Sequence, residues 1–178
     1  MIYFSCNTVA DITYRLPDKI GTNCSEYILT NNERVIGKVL TSDKFALLNY
    51  ENQTLIIKRV KFYFKQKKYS IDCCKTGQTF GKLEFLDSYE CIVSLNKGST
   101  YFFHENRANK KLLNPTTWFN FEHHLTDSVD DICYSGNKPL NGLSKGIIET
   151  TNEQLLLPTL IGLFILDEFI RTFQENSG

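Results

Sequence analysis

The stretch FEHHLTDSVDD gathers His123, His124, Asp127, Asp130 and Asp131 into nine residues. Imidazole nitrogens beside carboxylate oxygens make the mixed donor set of a divalent metal, so His123, Asp127, Asp130 and Asp131 are candidate ligands. Two features count against a built site. Adjacent residues of a strand point to opposite faces, so His123 and His124 cannot both serve one ion. The run also lacks the alternating acids, central glycine and closing glutamate of an EF-hand loop. The expectation is no bound metal and no cofactor.

A second run, IIKRVKFYFKQKKYSI, holds six bases, Lys58, Arg59, Lys61, Lys65, Lys67 and Lys68, around Phe62, Tyr63 and Phe64. Taken as one extended strand, Arg59, Lys61, Tyr63, Lys65 and Lys67 share a face. Four of these, Arg59, Lys61, Lys65 and Lys67, form a basic ladder about 27 Å long at ~3.3–3.4 Å per residue. Such a ladder is either a solvated strand face whose lysines deter edge pairing or a site for anionic headgroups, where each base near the membrane surface is worth about 1 kcal/mol.

Covalent catalysis finds no support. There is no G-x-S-x-G, no phosphate-cradling glycine loop and no H-E-x-x-H. His104, after YFF, has no nameable acid–base partner and reads as a polar residue at a strand end. The six cysteines (Cys6, Cys24, Cys73, Cys74, Cys91, Cys133) contain no C-x-x-C pair. The N-terminus lacks the basic region and long apolar core of a signal peptide. Both features point to reduced, mostly buried thiols in a cytoplasmic protein. Trp118 and the aromatic runs are read as packing, since stacking platforms for single strands need aromatics exposed beside a positive groove.

The elements that carry these residues are mostly short strands. Tyr27–Thr30 and Arg34–Leu40 flank a turn at 31–33, Ala46–Tyr50 and Thr54–Val60 flank 51–53, and Tyr69–Cys73 and Thr79–Phe85 flank 74–78, each pair reading as a hairpin. Tyr89–Leu95 and Thr100–His104 make a fourth pair, and Trp118–Phe121, Ile132–Ser135 and Gly146–Thr150 follow. About eleven or twelve strands result, with longer loops at 106–117 and 126–131. The words Ile36-Gly37-Lys38-Val39 and Phe80-Gly81-Lys82-Leu83 repeat with a period of 44 residues.

The chain then changes character. Leu155 to Leu166 is an apolar run of 12 residues bounded by Glu149 and Glu153 before it and Asp167 and Glu168 after it. A membrane helix needs about 20 apolar residues, so this segment is too short to span. A helix apolar on every face is instead one buried on every side. Thr150 with Glu153, or Thr151 with Gln154, can form a capping box, and Pro158 can occupy a first helical position. A sheet of many antiparallel strands removes its edges by closing, and a wide barrel leaves a space that such a helix fills.

Repeated hairpins with a Gly-Lys word in the second strand, followed by a hydrophobic terminal helix with acids near its end (FILDEFI), resemble the tubby C-terminal-like superfamily. The similarity is greatest to its LURP-one-related and phospholipid-scramblase-like members and covers roughly residues 12–173. It implies a closed antiparallel barrel of about twelve strands around a buried C-terminal helix, within one domain over 1–178, with strands at about 2–150 and the helix at about 153–173. It also implies recognition of phosphoinositide-like headgroups through basic residues on the barrel. Segment 126–131 is loosely similar to the acidic, calcium-associated segment of the scramblases.

Composition limits the partners. The 178 residues fit one domain, and a hydrophobic content of 42% suffices for a substantial core. Twenty bases balance twenty acids, so the overall field favours no nucleic acid. Residues 1–88 carry 13 bases and 9 acids while 89–178 carry 7 and 11, which places any anionic ligand in the first half. The expected function is a non-catalytic binding module for an anionic lipid headgroup or a protein partner, at a peripheral membrane or in the cytoplasm. The alternative is a small-molecule carrier or enzyme that uses a barrel cavity.

Overall fold

A computed structural model describes residues 2–9, 24–42, 45–60, 67–86, 90–96, 100–105, 121–125, 132–137, 145–150 and 155–175. The strands are β1 (Ile2–Val9), β2 (Cys24–Asn31), β3 (Arg34–Thr41), β4 (Phe45–Tyr50), β5 (Gln53–Arg59), β6 (Lys68–Cys73), β7 (Thr79–Phe85), β8 (Glu90–Leu95), β9 (Thr100–Glu105), β10 (Phe121–Leu125), β11 (Ile132–Asn137) and β12 (Lys145–Thr150). One helix, α1 (Leu156–Glu175), follows them. All described ladders are antiparallel and join one sheet in the order β10-β9-β8-β7-β6-β5-β4-β3-β2-β1-β12-β11.

The hairpins lie where the turn residues place them. Asn32 and Glu33 both have positive φ (48° and 64°), as do Glu51 and Asn52 (49° and 114°). Two-residue turns with positive φ at both centres match the right-handed twist of the strands they join. The β6–β7 turn uses Gly77 at φ 70°. The 44-residue repeat has a structural counterpart. Leu29 pairs Gly37 and the register then slips, Thr30 pairing Val35 past Ile36. Ile71 likewise pairs Gly81, and Asp72 then pairs Thr79 past Phe80. Both words therefore mark a bulge, which adds local twist and bends the sheet.

That curvature wraps the sheet round α1. The helix is buried without interruption from Pro158 to Phe169. Strands far apart in the sheet order touch it: Tyr27 of β2 and Thr41 of β3 bond Asp167, the rings of Tyr69 on β6 and Phe164 lie 5.2 Å apart, and Tyr134 of β11 donates to the Thr159 carbonyl at 2.8 Å. At Gly37 an added Cβ would lie 2.9 Å from Leu160 Cδ2, so the missing side chain lets helix and β3 approach. Each Leu, Ile or Phe buried along α1 contributes about 1.5–3 kcal/mol relative to exposure. A separate small cluster of Cys24, Leu40 and Leu47, with Phe45 and Ile56 against it, lies apart from this main core.

Several expectations need correction. The sheet is not closed by hydrogen bonds: its ends are β10 and β11, which approach with Cα atoms within 8 Å but share no ladder among the described residues. Strand β1 falls at the start of the strand region expected over about 2–150, although no hairpin turn marked it individually. Of the strand expected at Trp118–Phe121, residues 118–120 lie outside the described residues; Phe121 opens β10, which continues to Leu125 and includes both neighbouring histidines. Thr150 is the last residue of β12, and the other members of both expected capping boxes, at 151–154, lie outside the described residues. The helix starts at Leu156, with Pro158 in its first turn, where a missing N–H breaks no helical bond. Among the described residues no helix is long and apolar enough to cross a membrane.

Candidate functional site at the end of the helix

The acids that close the apolar run are inside the molecule, not outside it. Asp167 and Glu168 are only 5% and 4% exposed. A carboxylate so placed survives only with partners, and strands distant in sequence supply them. Asp167 accepts from the Tyr27 hydroxyl at 2.7 Å and the Thr41 hydroxyl at 2.6 Å. Arg171, one turn further along the helix, pairs with Asp167 at 2.5 Å and donates to Thr41 at 3.2 Å. Glu168 accepts from Lys67 Nζ at 3.3 Å and Tyr69 at 3.1 Å. Lys67 also donates to Thr172 at 3.1 Å, and Thr172 donates to the Glu168 carbonyl at 2.9 Å.

Two carboxylates thus face two cations and three hydroxyls from β2, β3 and β6. Burial pushes Glu168 above its ordinary value, opposed by the charges of Lys67 and Arg171. Burial, then the Asp167 charge, holds the Tyr27 phenol well above its ordinary value, and burial with the Glu168 charge does the same to Tyr69. Both phenols are therefore neutral hydrogen-bond donors. Cys6, on β1 beside Tyr27, is pushed up to about 11 by burial and by Asp167. The arrangement fixes the depth and rotation of α1 within the sheet, because sliding the helix would strand both carboxylates.

The basic residues are placed differently from a single extended ladder. Arg59 ends β5 and pairs across the sheet with Tyr69 on β6, and the Val60 N–H donates to the Lys68 carbonyl at 2.9 Å. The chain has therefore reversed between Arg59 and Lys67, so the two belong to neighbouring strands and not to one 27 Å row. The face they share is also the opposite one. Leu55 and Ile57 precede Arg59, and Tyr69 and Ile71 follow Lys67, all four buried against the core at alternate positions. Arg59 and Lys67 thus continue the inner face at the rim, where Lys67 is half-buried on Glu168. Lys61 and Lys65 lie outside the described residues.

On the outer face, Lys58 pairs with Asp72 at 2.7 Å and Lys68 with Glu84 at 2.7 Å. Burial acts to raise Asp72, but Lys58, Thr79 and Ser70 prevail and hold it below its ordinary value. Of the metal candidates, only the backbone of His123 is described, opposite Phe103 in the β9–β10 ladder. Asp127, Asp130 and Asp131 lie outside the described residues. Among those described, no group of three His, Cys, Asp or Glu side chains is placed to hold an ion.

Reading the sequence missed Tyr27, Thr41, Tyr69, Asp167, Glu168 and Arg171 as one cluster. The available signal was local: Arg171 stands four residues after Asp167 and three after Glu168, the spacing of neighbours on a helix surface. No family model, curated protein or solved structure matches the chain.

Proposed function

We propose that this chain is a non-catalytic binding module, a tubby-like sheet wrapped around α1, which meets an anionic lipid surface through the end of the sheet where β5 gives way to β6. The observation that carries the reading is the combination of charge and apolar exposure at that rim. Val60 and Leu86 are 47% and 44% exposed. They flank the Lys67–Lys68 backbone, which accepts from the Val60 and Phe85 N–H groups at 2.9 and 3.0 Å. Arg59 is exposed beside them. The intervening sequence, Lys61-Phe62-Tyr63-Phe64-Lys65-Gln66, repeats the mixture of bases and aromatics. Apolar side chains among lysines suit an interface between headgroups and acyl chains.

A carrier or enzyme working from a barrel cavity is the weaker reading, because α1 occupies the space such a ligand needs. The peripheral, cytoplasmic placement belongs to the same proposal. Lys67 and Lys68 are already ion-paired, so the test falls on Lys61 and Lys65. The protein should bind liposomes containing phosphatidylserine or phosphoinositides at 0.01 M salt. Binding should weaken at 0.15 M, as the Debye length falls from about 30 to about 8 Å, and drop in Lys61→Glu/Lys65→Glu. Equal binding by wild type and variant, or none by either, overturns the lipid reading in favour of a protein partner.

A further inference from the structure

Tyr3 and Val35 are 49% and 50% exposed, and neither belongs to the rim that carries Val60 and Leu86. The ladders make them members of one row. Tyr3 pairs Ile147 of β12 and Thr30 of β2, and Thr30 pairs Val35 of β3. Ile147, Tyr3 and Thr30 each adjoin a core residue, Ile148, Phe4 and Leu29, so the row lies on the outer face, away from α1.

Exposed charges border this row on both sides, and their signs are sorted. Lys145 and Glu149 stand on β12 two residues to either side of Ile147, both exposed and both on the same face. The sequence of pairs Lys145–Ser5, Ser5–Ile28 and Ile28–Lys38 puts exposed Lys38 of β3 on the Lys145 side of the row. Glu33, exposed in the β2–β3 turn beyond Val35, stands on the Glu149 side. One border is therefore basic at each end and the other acidic at each end. None of the four charges is ion-paired among the described residues.

We propose that this face binds a second copy of the same chain, in a dimer whose two-fold axis runs along the row, across the strands. An isologous contact needs a patch complementary to itself, and the order of the charges supplies one. Rotation about that axis sets Tyr3 against Tyr3 and exchanges the two borders. Lys145 of each copy then meets Glu149 of the other, and Lys38 meets Glu33. A two-fold along the strands would set Lys145 against Lys38 and Glu149 against Glu33, which like-charge repulsion disfavours. The patch is about 14 Å across the strands by about 13 Å along β12. That is well short of the ~800 Å² per partner of a standard interface, so the dimer is reversible, with a Kd on the order of 0.1 mM. The contact uses β12, β1, β2 and β3 and leaves the end between β5 and β6 uncovered, so it stands whether or not that end meets lipid.

Sedimentation of the folded full-length chain from about 10 μM to about 1 mM should show a monomer passing into a dimer. Tyr3→Glu, and separately Lys145→Glu, should each weaken the dimer by about tenfold or more. Melting temperatures should not change, because both side chains are exposed. The exchange Lys145→Glu/Glu149→Lys restores opposite charges across the two-fold and should return the wild-type affinity. A chain monomeric throughout that range, a dimer indifferent to Lys145→Glu, or one that the charge exchange fails to restore would overturn the proposal.

Discussion

Lys67 bonds Glu168 at 3.3 Å across 101 residues of sequence, joining the start of β6 to the last turns of the central helix. The lysine side chain is 29% exposed while the glutamate is buried, so the pair is anchored on its acidic side. Lys67→Met should destabilise the fold by about 1–3 kcal/mol, the cost of a buried acceptor losing a charged partner. Tyr69 and Arg171 keep the loss from being larger. The double variant Lys67→Met/Glu168→Leu should recover part of that loss, since replacing both members leaves no stranded charge. Urea denaturation of the four proteins reads the coupling directly, and strict additivity would show that the contact carries no energy.

The pH response of Glu168 has a definite sign. Its folded value lies above the ordinary 4.5, so the native state binds the proton more tightly than the unfolded chain does. Its contribution is fully present below the unfolded value and is lost as pH rises through the folded one. Glu168→Gln should therefore gain on wild type as pH is raised from about 4 toward neutrality, in urea midpoints taken across that range. Asp72, held low, works oppositely: its contribution is present at neutral pH and is lost as pH falls through its folded value.

The helix is integral to the fold. Phe164 is fully buried and stacks edge-on with Tyr69. Phe164→Asp should leave no cooperative transition, because an unpaired buried charge exceeds the ~5–15 kcal/mol that holds a domain together. A soluble variant that melts cooperatively would show that the sheet stands without its helix.

Gly37 gives a gentler test of the same packing. Gly37→Val should cost about 1–3 kcal/mol through overpacking against Leu160. In a Leu160→Ala background the glycine substitution should cost less, as contacting residues couple. Thermal melts of the cycle would contradict the helix–strand approach if the two effects simply added.

Much of this architecture is local and was legible in the chain. Asn32-Glu33, Glu51-Asn52 and Gly77 announce turns through residues adjacent in sequence, and the run from Leu155 to Leu166 announces a buried helix because it has no polar side. Period-two alternation groups Arg59 with Leu55 and Ile57, yet it does not say which group faces inward, and it assumes a strand that continues. The reversal between Arg59 and Lys67, fixed by the Arg59–Tyr69 pairing, decided both questions. The acids at 167 and 168 look like the polar boundary of an apolar segment. Only the tertiary structure decided that they are buried, because their partners Tyr27, Thr41, Lys67 and Tyr69 are brought to them by a sheet that bends around the helix. A buried charge is tolerable only where such partners converge, and their convergence is a property of the whole curved sheet that no short window of sequence contains.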